Sequence, residues 1–316
     1  MKTLTLAATL AAVMTAPLFA QTYPEKDIDL VVPFDAGGSG DVTSRIIAET
    51  ANTLLDGVEI NVVNRAGGGG VVGQTFVSKA KPDGYTILAM TSSVVTNPQM
   101  KGAPYEVTDF RPVALYNLDP EVIAVPADSP FETAEDFLAA AKGETMNVVV
   151  AGIATSHHMS GLAIERVTDI KFNYIPTKGF GAQVQAIAGG HADAALWPLG
   201  EAAGQAGNGG GVRILAIASE ERSADFPDVP TFEEVGIDIP IWATFRGWAV
   251  PKDTPDEVVK TLSDLMKSVY ETPEYIEKMD ASGYGAVYRD AEGFSFVVDS
   301  YAEQTSVIIE EAGLGQ

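Results

Sequence analysis

Short apolar runs alternate with helical stripes along most of the chain. Residues 27–32, 58–64 and 85–90 are runs of mainly apolar and β-branched residues and read as buried strands. Between the first two, Asp41 is placed to cap a helix whose apolar stripe is Val42, Ile46, Ala51, Leu54 and Leu55. The segment RAGGGGVVGQTFVSKA (65–80) reads as a glycine-rich loop feeding a helix, and Lys81-Pro-Asp-Gly84 as a turn. Further strands are expected at 122–125, 146–151, 172–175, 192–196 and 213–218, with a surface turn at 205–211. Thr133 stands three residues before Asp136, the spacing of a capping box. Thr254-Pro-Asp-Glu257 reads as another, with Pro at the first helical position. The helix after it carries Val258, Val259, Leu262, Leu265, Met266 and Val269 at a 3.6-residue period. Strand and helix patterns alternating in this way predict an α/β protein. Length favours two units, one formed by 21–120 plus 247–316 and a second, 121–246, inserted in it.

Composition adds a compartment. Residues 1–20 carry one charge, Lys2, an apolar stretch too short to span a bilayer, and a small-residue end at Ala20. This reads as a secretory leader cleaved near Ala20–Gln21, and the mature chain is expected to be soluble and periplasmic. With no cysteine, neither a disulfide nor a lipid anchor on Cys can form. A net charge of −23 with no basic stripe argues against nucleic acid as a partner. The acidity serves solubility and would repel an anionic ligand. At ~0.15 M ionic strength, however, the screening length is about 8 Å, so dipoles and cations within a site decide affinity.

Residues 31–45, VVPFDAGGSGDVTSR, run from strand through a glycine bend into a helix. That order places unpaired backbone N–H groups at a helix N-terminus and makes Ala36, Gly37, Gly38, Ser39 and Asp41 candidates for holding an anion. Two other strand ends offer hydroxyls and N–H groups: Thr91-Ser92-Ser93, and the stretch 151–157 with Ile153, Ala154, Thr155 and Ser156. Carboxyl ends of strands are where open α/β sheets bind ligands. Arg246 in TFRGW and Lys178 in PTKGFG are candidate cations for a ligand carboxylate, the alternative for each being an interlobe or surface ion pair. Of three histidines, the adjacent His157 and His158 have diverging side chains, and no carboxylate spacing completes a metal set. His158 reads either as a ligand contact or as a helix-start residue bonded to a backbone carbonyl. Gly68-Gly-Gly-Val-Val-Gly73 matches G-x-G-x-x-G, but Asp83 comes too early to be the ribose-binding acid. No G-x-S-x-G elbow is present, and Trp197, Trp242 and Trp248 read as core. No catalytic residue, metal or cofactor is therefore expected.

Several segments together resemble one family: YPEKDIDLVVPFDAGGSGDVTSR, NRAGGGGVVGQTFVSKAKPDGYTIL, the stretch from Thr91 to Pro98, PTKGFGAQVQAIAGGHADAAL, PDVPTFEEVGIDIP and GWAVPKDTPDEVVKTL. Their order, over essentially the whole mature chain, resembles the periplasmic solute receptors of tripartite tricarboxylate transporters, the TctC or Bug type. The resemblance implies a two-lobe, type II periplasmic binding protein of the Venus-flytrap kind, with the ligand cleft between the lobes. It implies a receptor, not an enzyme, that acts as a monomer and hands its ligand to one large and one small membrane subunit. Ligands of such receptors are small organic anions, among them di- and tricarboxylates, acidic amino acids and aromatic carboxylates. One carboxylate is held by backbone N–H groups of loops matching 34–41, with Phe34, and 151–158, where His158 matches the family's histidine. This chain departs from the family pattern at Asp35-Ala36, where Pro-Gly is common, and at Thr177, where many members have tyrosine. The W-x-x-F-R-G context of Arg246 resembles the subgroup that includes citrate-type receptors, which implies a multiply charged carboxylate. Hinges are expected near Val122 and Ala243. The rival readings are a ligand-presenting co-receptor for a sensor kinase and a secreted α/β enzyme, a hydrolase or dehydrogenase.

Overall fold

A computed structural model describes residues 23–206, 210–239 and 242–315; the expected leader and residues 207–209 of the expected surface turn lie outside these. The chain begins β1 (Ile28–Val32), α1 (Ser39–Leu54), β2 (Ile60–Asn64), α2 (Val71–Ser78), β3 (Thr86–Thr91) and α3 (Ser93–Lys101). β1 lies between β2 and β3 and runs parallel to both, so the three strands present their carboxyl ends along one edge. After β4 (Phe110–Pro126) and α4 (Ala134–Gly143), a second series follows the same logic: β5 (Met146–Val150), α5 (Ser156–Val167), β6 (Phe172–Pro176), α6 (Phe180–Ala188), β7 (Ala194–Pro198), α7 (Leu199–Ala206) and β8 (Val212–Ile217). Here β5 is parallel to β6 and β7. β9 (Ala243–Pro251) returns antiparallel between β3 and β4, and α8 (Asp256–Tyr270), α9 (Pro273–Ala281) and α10 (Ala291–Glu311) complete the chain. The result is an α/β arrangement of two helix-covered sheets joined through β4.

β4 belongs to both sheets. Phe110 to Pro120 pair with β9, whereas β7 and β8 pair with the strand only from Glu121 and Val122 onward. β9 pairs with the first sheet throughout, so residues 243–246, placed with the second unit on sequence grounds, are strand members of the first. One apolar cluster lies under α1, α8 and α9, and another under α6 and α7. A third runs unbroken from Val31 and Leu88 in the first sheet through Leu115 and Ile123 to Val148 and Leu196 in the second.

Most elements form where the apolar pattern places them, with instructive exceptions. Thr133 and Asp136 make the reciprocal capping bonds, each 3.1 Å. α8 buries Val258, Val259, Leu262, Met266 and Val269, with Leu265 at the edge of the core. Its expected capping box is absent: the Thr254 hydroxyl donates to the Pro251 carbonyl (2.7 Å), and Pro255, not Thr254, is the N-cap. The cap of α1 is Gly38, and Asp41 lies in the first turn. The inward face of that helix carries Thr43, Ser44, Ile47, Ala48 and Ala51, while Leu54 is 47% exposed. A threonine can face inward there because its hydroxyl is satisfied within the helix, donating to the Ser39 carbonyl at 2.7 Å.

Where β4 changes sheets, its alternate residues Asn117, Asp119 and Glu121 are all buried. Across from them on β9 stand Thr244 and Arg246, with Asn117 in register with Arg246 and Asp119 with Thr244. Arg246, 2% exposed, donates to Asn117 Oδ1 and, at 3.2 Å, to Asp119 Oδ2. Thr244 donates to Glu121 Oε1 at 2.6 Å. A buried pair of this kind is a weak source of net stability, but removing one partner strands the other. Arg246→Met is therefore expected to lower unfolding free energy at pH 8 by about 3–5 kcal/mol, read from urea melts; a loss under half of that would mean Asp119 is not ionised there. Burial pushes the Glu121 carboxyl up to about 8, against the opposing bonds from Thr244 and Ser156. A carboxyl raised in the folded state stabilises it below the ordinary carboxylate range, and that stability is lost as pH rises through the folded value. Stability should thus decline between pH 6.5 and 8, and Glu121→Gln should flatten that slope; parallel slopes for the two proteins would refute the assignment.

Candidate functional site

The carboxyl ends of β1, β5 and β6 each feed a helix whose first turn faces a common cleft. The N-caps are Gly38 for α1, Thr155 for α5 and Gly179 for α6, and none makes a side-chain capping bond. Gly38, Ser39 and Gly40, then Thr155, Ser156 and His157, then Gly179, Phe180 and Gln183 line an inner chamber of about 60 Å³. Three helix N-termini, drawn from both sheets, therefore converge on one small space with main-chain N–H groups directed along their axes. Thr91 and Ser93, at the end of β3, and Thr244 and Arg246, from β9, complete the wall.

Two internal carboxylates compete for those N-termini. Glu201, on the first turn of α7, is buried, and its Oε1 accepts from both the Ser39 N–H (3.1 Å) and the Ser39 hydroxyl (2.7 Å). Arg246 Nη2 donates to that same hydroxyl oxygen, so a chain of bonds runs from Arg246 through Ser39 to Glu201. Asp35 sits at the cleft mouth against Gly179, where a Cβ would come within 2.9 Å of its carboxylate and push that side chain aside. Among the described residues neither α5 nor α6 has an acidic residue in its first turn or a main-chain N–H there bonded to a carboxylate, whereas α1 has both; the Ser156 hydroxyl of α5 bonds the Glu121 carboxyl. Burial pushes the Asp119 carboxyl up to about 6 against the pull of Arg246, and it raises that of Glu201 against the bonds from Ser39. Burial also lowers both histidines, His157 to about 3 and His158 to about 4, so both are neutral at pH 7.

An outer chamber of about 570 Å³ opens beyond Phe34, Asp35 and Ala151, which border both spaces. Its walls are residues 66–70, the loop 151–153 with Ile153, the strand end Pro176-Thr177, and two lysines, Lys101 and Lys178. Gly67 to Gly70 all have positive φ, which allows this loop to lie against Ile153; a side chain at Gly69 would meet both Lys101 Nζ and the Ile153 carbonyl. The G-x-G-x-x-G match is thus a tight bend packed against the facing loop. Lys101 Nζ donates to the Gly68 carbonyl at 2.8 Å, and burial lowers its ammonium to about 8.

Several expected residues do other things. Arg246 lines the inner chamber but donates to Asp119, Asn117 and Ser39, and its ion pair with Asp119 is a buried one between neighbouring strands rather than an interlobe or surface pair. Asp41 is fastened to the Gly37 N–H, Arg45 and Asn64; these bonds outweigh burial and hold its carboxyl below the usual range. Ala36 and Gly37 are exposed and line neither chamber. The Ser92 hydroxyl accepts the Phe245 N–H (3.0 Å), and the Ala154 carbonyl accepts from Thr96. His158 lies behind its loop: its Nδ1 accepts the Ala154 N–H at 3.4 Å, which occupies that lone pair, and its ring packs on Tyr174. His157, its neighbour, is the histidine that lines the cleft. Glu201 and Lys101 were not singled out from the sequence. The strand-end rule applied to 91–93 would have reached Glu201 had it been extended past β7. Nothing in the sequence around Lys101 marks it.

Residues 43–314 match the family model described as the tripartite tricarboxylate transporter family receptor, TctC. A UPF0065 protein from the gbd 5′ region of Cupriavidus necator is 31% identical over 96% of this chain and 93% of its own. A TctC solute binding protein from Polaromonas, solved without ligand, is 34% identical with a TM-score of 0.70, covering 92% of this chain and 100% of that one. MatC from Rhodopseudomonas palustris, solved with bound malate, is 25% identical with a TM-score of 0.84, covering 91% and 100%. TctC proteins are periplasmic solute-binding receptors, not enzymes. Among the described residues no helix is long and apolar enough to cross a membrane. The convergent helix ends are thus set in a fold shared with solved TctC receptors, and the chain belongs to the receptor family of the tripartite tricarboxylate transporters.

Proposed function

We propose that this protein is a periplasmic receptor that captures a small organic carboxylate in the cleft and delivers it to the large and small membrane subunits of a tripartite tricarboxylate transporter. The observation that carries this reading is the N-terminus of α5, which faces the inner chamber with no side-chain cap and, among the described residues, no carboxylate on its first main-chain N–H groups. A ligand carboxylate placed there receives charge-assisted N–H bonds worth ~1.5–3 kcal/mol each. Lys101 and Lys178 stand in the outer chamber, where the far end of a dicarboxylate would lie. The MatC structure with malate supports a dicarboxylate as the favoured class. Closure would turn about β4 near Pro120–Glu121, with the sheet of β1, β2, β3 and β9 moving against that of β5, β6, β7 and β8 as a monomeric clamshell.

A thermal-shift panel of di- and tricarboxylates is expected to raise the melting temperature for at least one member, because a ligand of the native state stabilises it by mass action; a flat response across the panel would sink the reading. Lys101→Ala is expected to weaken a bound dicarboxylate by about tenfold, the loss of one charge-assisted bond, while leaving the matching monocarboxylate unchanged. Titration calorimetry separates the two, and an equal loss for both acids would take Lys101 out of the distal subsite.

A further inference from the structure

The wall of the inner chamber holds a buried acceptor that has no donor. Glu201 is 5% exposed and uses Oε1 for both bonds from Ser39, while its Oε2 has no hydrogen-bond partner. The nearest basic atom, His157 Nε2, is 3.9 Å away, beyond hydrogen-bond range. His157 is equally buried, and its Nδ1 is also without a partner. Both side chains line the chamber. A buried carboxylate oxygen left without a donor is costly, so whatever enters and donates to it is stabilised relative to a group that cannot.

Charge narrows the choice. Arg246, the one cation in the chamber wall among the described residues, already faces Asp119 and, through Ser39, Glu201. Among the described residues no further cation lines this space, so nothing in its wall pairs with a second carboxylate. A carboxylate at α5 has main-chain donors, and the neighbouring wall is Glu201. A substituent close to that carboxylate therefore meets an acceptor and gains only if it carries a hydrogen to give.

We propose that Glu201 is the specificity-determining residue of this cleft, its Oε2 accepting a hydrogen bond from a hydroxyl or amino substituent beside the ligand carboxylate. The receptor then prefers hydroxy- or amino-substituted acids to the parent acids of equal length. This rests on the carboxylate reading above and refines it.

The test uses matched triplets: succinate, malate and aspartate; glutarate, 2-hydroxyglutarate and glutamate; propionate, lactate and alanine. Each is titrated calorimetrically into the mature wild-type chain and into Glu201→Gln. In at least one triplet the wild type is expected to bind the hydroxy or the amino member about tenfold or more tighter than the parent acid, and which member wins separates the two donor chemistries. Glu201→Gln keeps an oxygen for Ser39 but can turn an N–H₂ donor toward the substituent, so the preference should fall to within about twofold, with the parent acid bound at least as well as before. Melting curves establish that the variant is folded; if it is not, Glu201→Asp, which keeps the charge but withdraws the acceptor by one methylene, should show the same loss of preference. Equal affinities within every triplet that binds, or a preference that survives a folded variant, would overturn the role of Glu201 while leaving the carboxylate reading intact. Failure of all nine compounds to bind would remove the carboxylate reading and this proposal together.

Discussion

Arg246 is 2% exposed on a central strand, and a guanidinium can be buried there only because Asn117, Asp119 and Ser39 take its donors. Those partners come from β4 and from the start of α1, and Ser39 passes the link on to Glu201 on α7. One charge thereby fixes the relation of both sheets at the floor of the cleft. It also determines what the cleft can offer: with Arg246 committed, main-chain N–H groups and the outer lysines are the positive elements left facing open space. Breaking a network of this kind costs more than its formation contributes, since each member is buried and depends on the next.

The strongly acidic surface and an anion-binding cleft are compatible for the same reason. Screening over about 8 Å limits the reach of the exterior charges, and the helix ends act at contact distance. At the start of α1 the Ser39 N–H is answered by Glu201, and Asp35 lies beside the N-cap of α6, while among the described residues the first main-chain N–H groups of α5 meet no carboxylate of the chain. The cleft is thus selective by subtraction: the protein fills some of its own anion positions and leaves the ligand a defined remainder.

Much of the scaffold was legible because it depends on local pattern. The stripe of Val258, Val259, Leu262, Met266 and Val269 and the box of Thr133 and Asp136 need only neighbours in sequence. Asp41 and Thr254 misled for an equally local reason: each hydroxyl or carboxylate found a nearer partner, Gly37 with Arg45 in one case and the Pro251 carbonyl in the other. The polar face of β4 was less visible. Asn117, Asp119 and Glu121 recur at the period of a strand, but a search for apolar runs passes over a strand whose buried face is charged. The site was legible as loops and illegible as side-chain roles. Arg246 and Asp119 are 127 residues apart, and Ser39 and Glu201 are 162 apart, so whether a cation is free or paired is a property of the fold.

β4 lends its first half to one sheet and its second half to the other, and an unbroken apolar cluster spans the same junction. That strand is the outermost member of the first sheet and lies between β7 and β8 in the second, so neither sheet is complete without it. The protein should accordingly melt in a single cooperative step, and a guest that tightens the cleft will protect backbone amides deep in both halves. The strand is a torsion bar as much as a hinge: it permits twisting between the halves while forbidding either to come apart alone.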